Sequence, residues 1–263
     1  VHGMIKHRMA ELTEGPLNII DLGCGDGKKA MEIIKMIGNK TSIKYCPIDI
    51  SGYMVKKAIA NFTKLNVGEL VLGLQYNISD FENLENLIPL LSAEGGRKNL
   101  FLMLGGTLGN FEVDELLYAV RSAMNKGDFF LASIGVKGSK WEVWAEKQKH
   151  DKRMDKFFGL IPIKLGLGVD EVEFGSRFKN SRVEYYYKLL KDKTAYSNNR
   201  KVEFHKGDQI IVAVAYKFNE VELLERLHLY FGAVQIKLSE DGSLGILLAG
   251  LGNMDKFINK NFF

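Results

Sequence analysis

Short apolar runs alternate with amphipathic segments along the first half of this 263-residue chain. Five of the runs have the length of strands, at residues 17–22, 42–48, 69–74, 99–104 and 129–134. The segments between them carry apolar residues at helical spacing, so the alternation predicts a parallel sheet wrapped by helices. The chain is 46% hydrophobic and 26% charged, which excludes disorder and suits one large α/β domain, with or without a smaller subdomain.

The pattern changes in the second half of the chain. Residues 137–158 predict a long, charged helical segment. Four strand-like segments follow it and suggest an antiparallel insert, at residues 171–178, 182–190, 201–205 and 209–218. A helix capped by Asn219 then leads to two closing strands, residues 234–238 and 244–248, which a turn-rich connection joins into a hairpin.

A glycine-rich turn, Asp21-Leu22-Gly23-Cys24-Gly25-Asp26-Gly27, joins the first predicted strand to the first helix. Glycines here let the backbone turn sharply and let a ligand approach the main chain. The third glycine comes one residue earlier than in the fingerprint of dinucleotide-binding proteins. The opening carboxylate does not help to hold a pyrophosphate, but it suits a ligand with an amino group and a sulfonium. We therefore predict that the turn binds S-adenosylmethionine (SAM) through Asp21, Gly23, Cys24 and Gly25.

Three further strand ends are predicted to lie at the same edge of the sheet. Asp49, with Ile50 beside it, ends the second strand, where a carboxylate can accept both ribose hydroxyls. Asp80 and Phe81 follow the third strand, where they can hold and stack on the adenine. The fourth strand leads into small residues and an amide, at Gly105, Gly106, Thr107 and Asn110. The alternatives are that Asp80 marks only a helix start, that Phe81 belongs to the core and that Asn110 only caps the next helix.

The order of the predicted elements also indicates a fold. An insertion, a helix and a closing antiparallel hairpin are typical of Rossmann-like methyltransferases, whereas ordinary dinucleotide-binding sheets end in a parallel strand. We predict an α/β fold, a class I methyltransferase sheet that ends in a hairpin and carries an α+β insertion. The expected domains are a SAM-binding core (residues 1–135 and 218–252), an acceptor-binding insertion (136–217) and a C-terminal tail (253–263).

Taken together, these segments resemble the SAM-dependent histidine methyltransferase family of ergothioneine synthesis, which also includes dimethylallyltryptophan N-methyltransferases. The resemblance extends over about residues 17–250, and its most specific element is the Gly-x-Thr-x-Gly-Asn-Phe segment that ends at Phe111. The other matching elements are the glycine turn with Lys29, residues 47–51, Asp80-Phe81, Gly127-Asp128 and Lys217-Phe218.

This resemblance implies a division of roles. The glycine turn with Lys29, the acid after the second strand and the Asp-Phe pair would hold SAM, whose product is S-adenosylhomocysteine. Asn110 would contact an amino-acid acceptor, and the insert, at about residues 136–216, would form the acceptor pocket.

Two departures bear on the acceptor. Histidine-binding members of the family carry a glutamate and a serine at the positions of Ala213 and Ala215, so an imidazole would lose its hydrogen-bond partners here. The family also uses a tyrosine-bearing N-terminal region, and only 16 residues precede the first predicted strand. We expect an acceptor other than histidine, and an N-terminal part that is missing or replaced by the insert.

Composition and residue spacing restrict the classes of partner that the chain is expected to bind. Two cysteines and five scattered histidines, without CxxC or HExxH spacing, predict no metal site. No apolar run approaches the roughly 20 residues of a membrane span, and the first residues lack a signal peptide, so we expect a cytoplasmic protein without a membrane partner. The net charge of +4 is too balanced to indicate nucleic acid, which leaves a small-molecule acceptor as the favoured partner.

Other interpretations stay open from the sequence alone. The chain could methylate RNA or protein, with the basic run at residues 147–156 beside the SAM crevice. The alanines at the acceptor positions are also compatible with a catalytically silent SAM-binding module, and an oxidoreductase with a nucleotide cofactor is a third alternative. No residue is identified as a general base. The aromatic residues of the insert fit acceptor walls as well as core packing: Trp141, Trp144, Tyr185, Tyr186 and Tyr187.

Overall fold

A computed structural model gives the architecture of the chain. It describes residues 9–70, 74–75, 96–138, 140–148, 151–197 and 200–252. The helices are α1 (Met9–Leu12), α2 (Lys28–Ile37), α3 (Gly52–Thr63), α4 (Val113–Ala123), α5 (Trp141–Gln148), α6 (Lys152–Phe158), α7 (Leu160–Lys164) and α8 (Glu220–His228). The strands of the main sheet are β1 (Leu17–Leu22), β2 (Ile43–Asp49), β3 (Glu69–Leu70), β4 (Leu74–Gln75), β5 (Lys98–Met103), β6 (Phe129–Gly135), β12 (Ala233–Leu238) and β13 (Leu244–Gly250). Those of the insert are β7 (Val172–Lys179), β8 (Arg182–Leu189), β9 (Lys193–Ser197), β10 (Arg200–Phe204) and β11 (Gln209–Tyr216).

The main sheet has the order β12-β13-β6-β5-β1-β2-β3, with β4 also paired to β2. The strands from β6 to β3 pair in parallel, whereas β13 runs antiparallel to β6 and β12 antiparallel to β13. This arrangement confirms the predicted α/β sheet with a closing hairpin. The strand order reverses at β1, and the carboxyl ends of β1, β2 and β5 meet there, which is where open α/β sheets bind ligands.

Two apolar clusters cover the two faces of the sheet. On one face, β1 and β2 pack against α2 and α3 through side chains such as Ile33 and Phe62. On the other face, β5 and β6 pack against α4 and α8, for example through Leu117 and Leu227. The strands are buried from both sides, because consecutive side chains point to opposite faces and both faces carry helices.

The glycine turn sets the start of α2. Gly27 adopts a left-handed backbone with φ of 73°, and a Cβ there would lie 3.0 Å from Cβ of Ala58 and 3.1 Å from the hydroxyl of Tyr45. The helix therefore begins at Lys28, after a glycine that admits both the backbone conformation and the close approach of α3.

Gly27→Ala is expected to lower the free energy of unfolding by about 1–3 kcal/mol, because it adds left-handed strain and crowding together. Gly25→Ala is the matched control: Gly25 is also left-handed, with φ of 51°, but a Cβ there meets nothing within 4 Å. Urea unfolding of both variants measures the difference. Equal losses would show that crowding at Gly27 contributes nothing.

The insert differs from the sequence prediction in two places. The prediction of a single long helix over residues 137–158 is wrong, because α5 ends at Gln148 and α6 begins after Asp151. The side chain of Asp151 caps α6 by accepting a hydrogen bond from the amide of Arg153. Strand β9 was not predicted, and it pairs with β10 in a separate two-stranded ribbon. A three-stranded antiparallel sheet, ordered β11-β8-β7, completes the insert.

Polar contacts attach the insert sheet to the core. Arg182 at the start of β8 donates to Oε1 of Glu112 at 3.2 Å, and the hydroxyl of Tyr216 donates to the other oxygen of Glu112. Arg182 also binds Glu184, a buried carboxylate that Arg177 holds from the other side at 2.7 Å. These contacts fix β11 beside the segment that precedes α4.

The described residues lack two features that would indicate a membrane or a metal partner. None of the helices in this part of the chain is both long and apolar enough to cross a membrane. The same residues contain no group of three or more His, Cys, Asp or Glu side chains arranged to hold a metal ion.

Candidate active site

The glycine turn after β1 is held in place by the end of β2. The amides of Gly23 and Cys24 both donate to the carbonyl of Ile48, at 2.8 and 3.0 Å. The amide of Gly25 donates to Oδ2 of Asp49 at 2.9 Å. Sequence reasoning placed Asp49 and the turn at one site, and these contacts bring them together.

Asp49 lies at the mouth of the crevice between β1 and β2. Its second oxygen accepts a hydrogen bond from the amide of Ser51 at 2.9 Å, so the carboxylate connects the glycine turn to the start of α3. Ser51 itself caps α3 by accepting a hydrogen bond from the amide of Met54, as expected for a serine at a helix start. Ile50 is 64% exposed beside this carboxylate and leaves an open apolar surface there.

Asp21 is the buried acid of the site. Its side chain is 3% exposed, and its Oδ2 accepts a hydrogen bond from the hydroxyl of Tyr45 at 2.8 Å. Burial raises the pKa of Asp21 to about 7, and the charge of Asp49 adds to the rise, while Tyr45 and Lys29 oppose it. A ligand that brings a positive charge to this carboxylate would favour its ionised form.

Cys24 contributes backbone geometry to the turn. Its thiol donates weakly to the carbonyl of Gly25 at 3.4 Å. Burial and the nearby carboxylates raise the pKa of Cys24 well above its usual range, so the sulfur stays protonated and unreactive at neutral pH.

The segment after β5 forms the adjoining wall. The amide of Gly105 donates to Oγ of Ser133 on β6 at 2.8 Å. A Cβ on Gly105 would lie 2.4 Å from Nζ of Lys29, so the missing side chain leaves room for that ammonium. Gly106 is also left-handed and has open space around it, and Thr107 donates to the carbonyl of Leu104 at 3.2 Å.

Asn110 ends a short 3₁₀ turn, Thr107–Asn110, and its side chain is exposed. The residue in the cap position of α4 is Glu112, so the alternative that Asn110 only caps this helix is wrong. Gly109 lies against β11 of the insert, where a Cβ would be 3.1 Å from the carbonyl of Tyr216. The turn therefore lies between the crevice and the insert. Asp80 and Phe81 fall outside the described residues.

Two contributors were missed by sequence reasoning. Tyr45 orients Asp21, and Ser133 holds Gly105. A signal exists for Tyr45: it pairs with Ile19, two residues before Asp21, so alternation on two parallel strands places the two side chains on one face. Ser133 gives no such signal, because a serine within a buried strand has many uses.

Comparison with known proteins decides the family. A family model described as histidine-specific, SAM-dependent methyltransferase matches residues 4–230. The chain belongs to this family. It is therefore a SAM-dependent methyltransferase, with SAM as its cofactor, and the resemblance read from the sequence is confirmed.

Solved structures similar to this methyltransferase come from several microorganisms. A SAM-dependent methyltransferase from Clostridium acetobutylicum ATCC 824 has 15% identity and a TM-score of 0.49, over 95% of this chain and 89% of that one. A protein from Pyrococcus horikoshii OT3 has 10% identity and a TM-score of 0.46, over 94% and 88%. A methyltransferase from Methanosarcina mazei has 13% identity and a TM-score of 0.44, over 89% and 92%. No curated protein matches the sequence.

The crevice of this methyltransferase combines two carboxylates with accessible main chain. Two carboxylates, Asp21 and Asp49, lie at the ends of adjacent parallel strands. Gly25 and Gly106 have left-handed backbones, and a Cβ on either would enter open space. The site therefore combines negative charge for a cationic ligand with main chain that a ligand can approach closely.

The face of the insert sheet that carries Ala213 and Ala215 is largely apolar. Ala213 and Ala215 on β11 pair with Tyr185 and Val183 on β8, and both partners are buried. The alanines continue this apolar face, because paired residues of antiparallel strands point to the same side. No side chain at these two positions can hydrogen-bond an imidazole.

The tyrosines of β8 serve packing in this methyltransferase. Tyr185 lies 6.2 Å from Phe174 in a stacked arrangement, and burial raises its pKa. The hydroxyl of Tyr187 contacts Oδ1 of Asp155 on α6 at 2.8 Å, and burial together with this bond raises its pKa as well. Tyr186 points to the opposite face, under the guanidinium of Arg177. Neither Tyr185 nor Tyr187 is poised to take a proton at neutral pH.

Proposed function

We propose that this methyltransferase transfers the methyl group of SAM to a small amino-acid-like or amine acceptor other than histidine. The observation that carries the acceptor assignment is the apolar pair Ala213 and Ala215 on β11. The resemblance implies a glutamate and a serine at these positions in members that bind an imidazole. The family model supports methyl transfer itself.

The proposed cofactor residues are those that the sequence indicates, and the contacts around Asp49 and the glycine turn support them. Asp21 would hold the amino group of SAM, and Asp49 would accept the two ribose hydroxyls. The glycine turn (Gly23, Cys24, Gly25) and the wall formed by Gly105, Gly106 and Thr107 would lie along the ligand, with Lys29 and Ile50 at its edges. Asp80 and Phe81 remain the proposed adenine contacts. The insert, residues 136–217, is proposed as the acceptor-binding subdomain.

The protein's contribution to the reaction is mainly alignment. When bound, SAM supplies an activated methyl group on a sulfonium, and displacement needs only a nucleophile in line with it. Asn110, exposed on the turn between crevice and insert, is proposed to orient the acceptor. The apolar face of the insert excludes water, which protects the electrophile from hydrolysis.

Binding of SAM is tested first by thermal unfolding. SAM or S-adenosylhomocysteine is expected to raise the melting temperature, because a ligand that binds only the folded state stabilises it by RT ln(1 + [L]/Kd), about 2.7 kcal/mol at 100 times Kd. NAD at the same concentration is the matched control and is expected to change nothing. Stabilisation by NAD without stabilisation by SAM would refute the proposed cofactor.

The acceptor is tested with methyl-labelled SAM. A panel of amino acids, amines and short RNAs is expected to give label transfer to a small amine, with L-histidine at background. Efficient transfer to histidine would refute the acceptor assignment, and transfer to RNA alone would favour the nucleic-acid alternative.

A further inference from the structure

A cavity of about 400 Å³ opens at the carboxyl end of β6, outside the SAM crevice. Its apolar walls include Val136, Trp141 and Val143, and its charged groups include Lys140, Lys147 and Lys217. A volume of this size suits a small molecule. Lys217 is half-buried, whereas Lys140 and Lys147 are exposed. The cavity therefore joins one partly desolvated ammonium and an aromatic wall to two ammonium groups that face solvent.

The cavity is built on fixed elements. Val143 and Lys147 are four residues apart and lie on one face of α5, and Lys140 directly precedes that helix. The ring of Trp141 packs edge-on against Phe178 of the insert sheet, with centroids 5.0 Å apart. The chain before α5 lies directly on the β12–β13 turn, where a Cβ on Gly138 would be 2.7 Å from the carbonyl of Gly242.

The charges of the cavity favour an anion. Among the described residues, Lys140 and Lys147 have no carboxylate within 4 Å. Asp241, the acid that lines the cavity, already accepts from the hydroxyls of Ser239 and Ser243, which lower its pKa to about 2. Burial lowers the pKa of Lys217, and an anion bound beside it would raise that pKa again.

The cavity also borders the SAM crevice. A Cβ on Gly135 would lie 1.8 Å from Nζ of Lys217, so this ammonium lies against the end of β6. Ser133, two residues earlier on the same face of the strand, holds the amide of Gly105. One face of β6 therefore contacts the crevice wall at Ser133 and the cavity lysine at Gly135. These two positions are roughly 7 Å apart along the strand.

We propose that this cavity binds an anionic group, a carboxylate or a phosphate, of a largely apolar methyl acceptor. The proposal rests on the proposed function and specifies its substrate class. Trp141 and Val143 would contact the apolar body, while Lys140, Lys147 and Lys217 would contact the anion. The reacting amine would then extend past the end of β6 toward the crevice.

Tryptophan fluorescence provides a direct test, since the two tryptophans of the chain, Trp141 and Trp144, both lie in α5. The probes are phenylacetate, phenyl phosphate and neutral phenylacetamide. At least one of the anions is expected to change the emission saturably, and phenylacetamide is expected to bind at least tenfold more weakly. A preference for phenylacetate or for phenyl phosphate distinguishes the two anions.

Paired variants locate the binding. The double variant Lys140→Gln/Lys147→Gln is expected to bind the preferred anion about tenfold more weakly, because two unpaired charges are removed from the cavity. Lys152→Gln/Lys156→Gln on α6 is the matched control, with the same change in net charge at exposed positions away from the cavity, and is expected to bind within about twofold of the native chain. Far-UV circular dichroism checks that both fold.

Three results would overturn the proposal: phenylacetamide that binds as tightly as the anions, equal weakening by the two double variants, or no response to any probe. The SAM thermal shift on the same samples separates this proposal from the proposed function. SAM stabilisation without anion binding overturns only the cavity assignment. Anion binding without SAM stabilisation would support the anion site and contradict the proposed SAM site in the crevice.

Discussion

Asp49→Ala is expected to abolish the thermal stabilisation by SAM and to weaken the binding of S-adenosylhomocysteine by on the order of 100-fold or more. The reason is that hydrogen bonds from two ribose hydroxyls to one carboxylate are charge-assisted, and each contributes about 1.5–3 kcal/mol. Isothermal titration calorimetry measures the loss. Asp26→Ala, which removes the same charge from the same turn, is the matched control and is expected to retain binding.

A second measurement separates ribose binding from a loop effect, since Asp49 also holds the amide of Gly25. The native protein is expected to prefer S-adenosylhomocysteine over its 2′-deoxy analogue, and Asp49→Ala is expected to lose that preference. If Asp49→Ala binds both ligands more weakly but still prefers S-adenosylhomocysteine over the 2′-deoxy analogue, Asp49 acts only on the structure of the loop. Asn110→Ala serves as the complement: it is expected to keep SAM binding and to lose methyl transfer.

Below pH 7 the affinity for SAM is expected to fall by up to tenfold per pH unit. Burial, reinforced by the charge of Asp49, raises the pKa of Asp21 to about 7, so a proton increasingly competes with the ligand's amino group as the pH drops. Asp21→Asn is expected to bind SAM weakly and without this pH dependence. Comparison of the two proteins cancels the titration of the ligand itself.

The same pKa predicts a trend in the stability of the ligand-free protein. The folded carboxyl keeps its proton up to about pH 7, whereas the unfolded one loses it near 3.8. Between these values the folded state binds more protons, so the free energy of unfolding falls as the pH rises through this window. Asp21→Asn is expected to flatten the slope, and the exposed Asp26→Asn is expected to keep it.

Tyr45→Phe tests whether Asp21 controls the pH dependence of SAM binding. The tyrosine hydroxyl stabilises the ionised form of Asp21, so its removal is expected to move the inflection of SAM affinity to higher pH. An unchanged pH profile in both Asp21→Asn and Tyr45→Phe would show that Asp21 does not control binding. Equilibrium titrations from pH 5.5 to 9 cover the range.

Much of the fold is predictable from the sequence, and so is the contact between Asp49 and the glycine turn. The strand β1 and the helix caps at Ser51 and Asn219 occur where the local pattern places them. These features depend on residues close in the chain, and their chemistry admits few alternatives. The predicted hairpin after α8 is likewise confirmed by the register of β12 and β13.

The errors lie where local and tertiary preferences compete. The charged segment at residues 137–158 has helical propensity throughout, yet the chain divides it into α5 and α6 at Asp151. Propensity alone does not reveal such a break, because the aspartate cap and the packing of α5 on the hairpin and insert decide it. Strand β9 was missed for a similar reason: its pairing with β10 makes a ribbon outside the main sheets.

The sequence by itself determined the parallel sheet and the pair of acids beside a glycine turn, since these follow from periodicity and from residue types at strand ends. Its motifs also carried the family resemblance. Only the tertiary structure decided that Tyr45 contacts Asp21, that Ser133 holds Gly105 and that three lysines share one cavity with Trp141. Those contacts join residues that are 24, 28 and up to 77 positions apart. Register and packing bring them together, and both are properties of the folded chain as a whole.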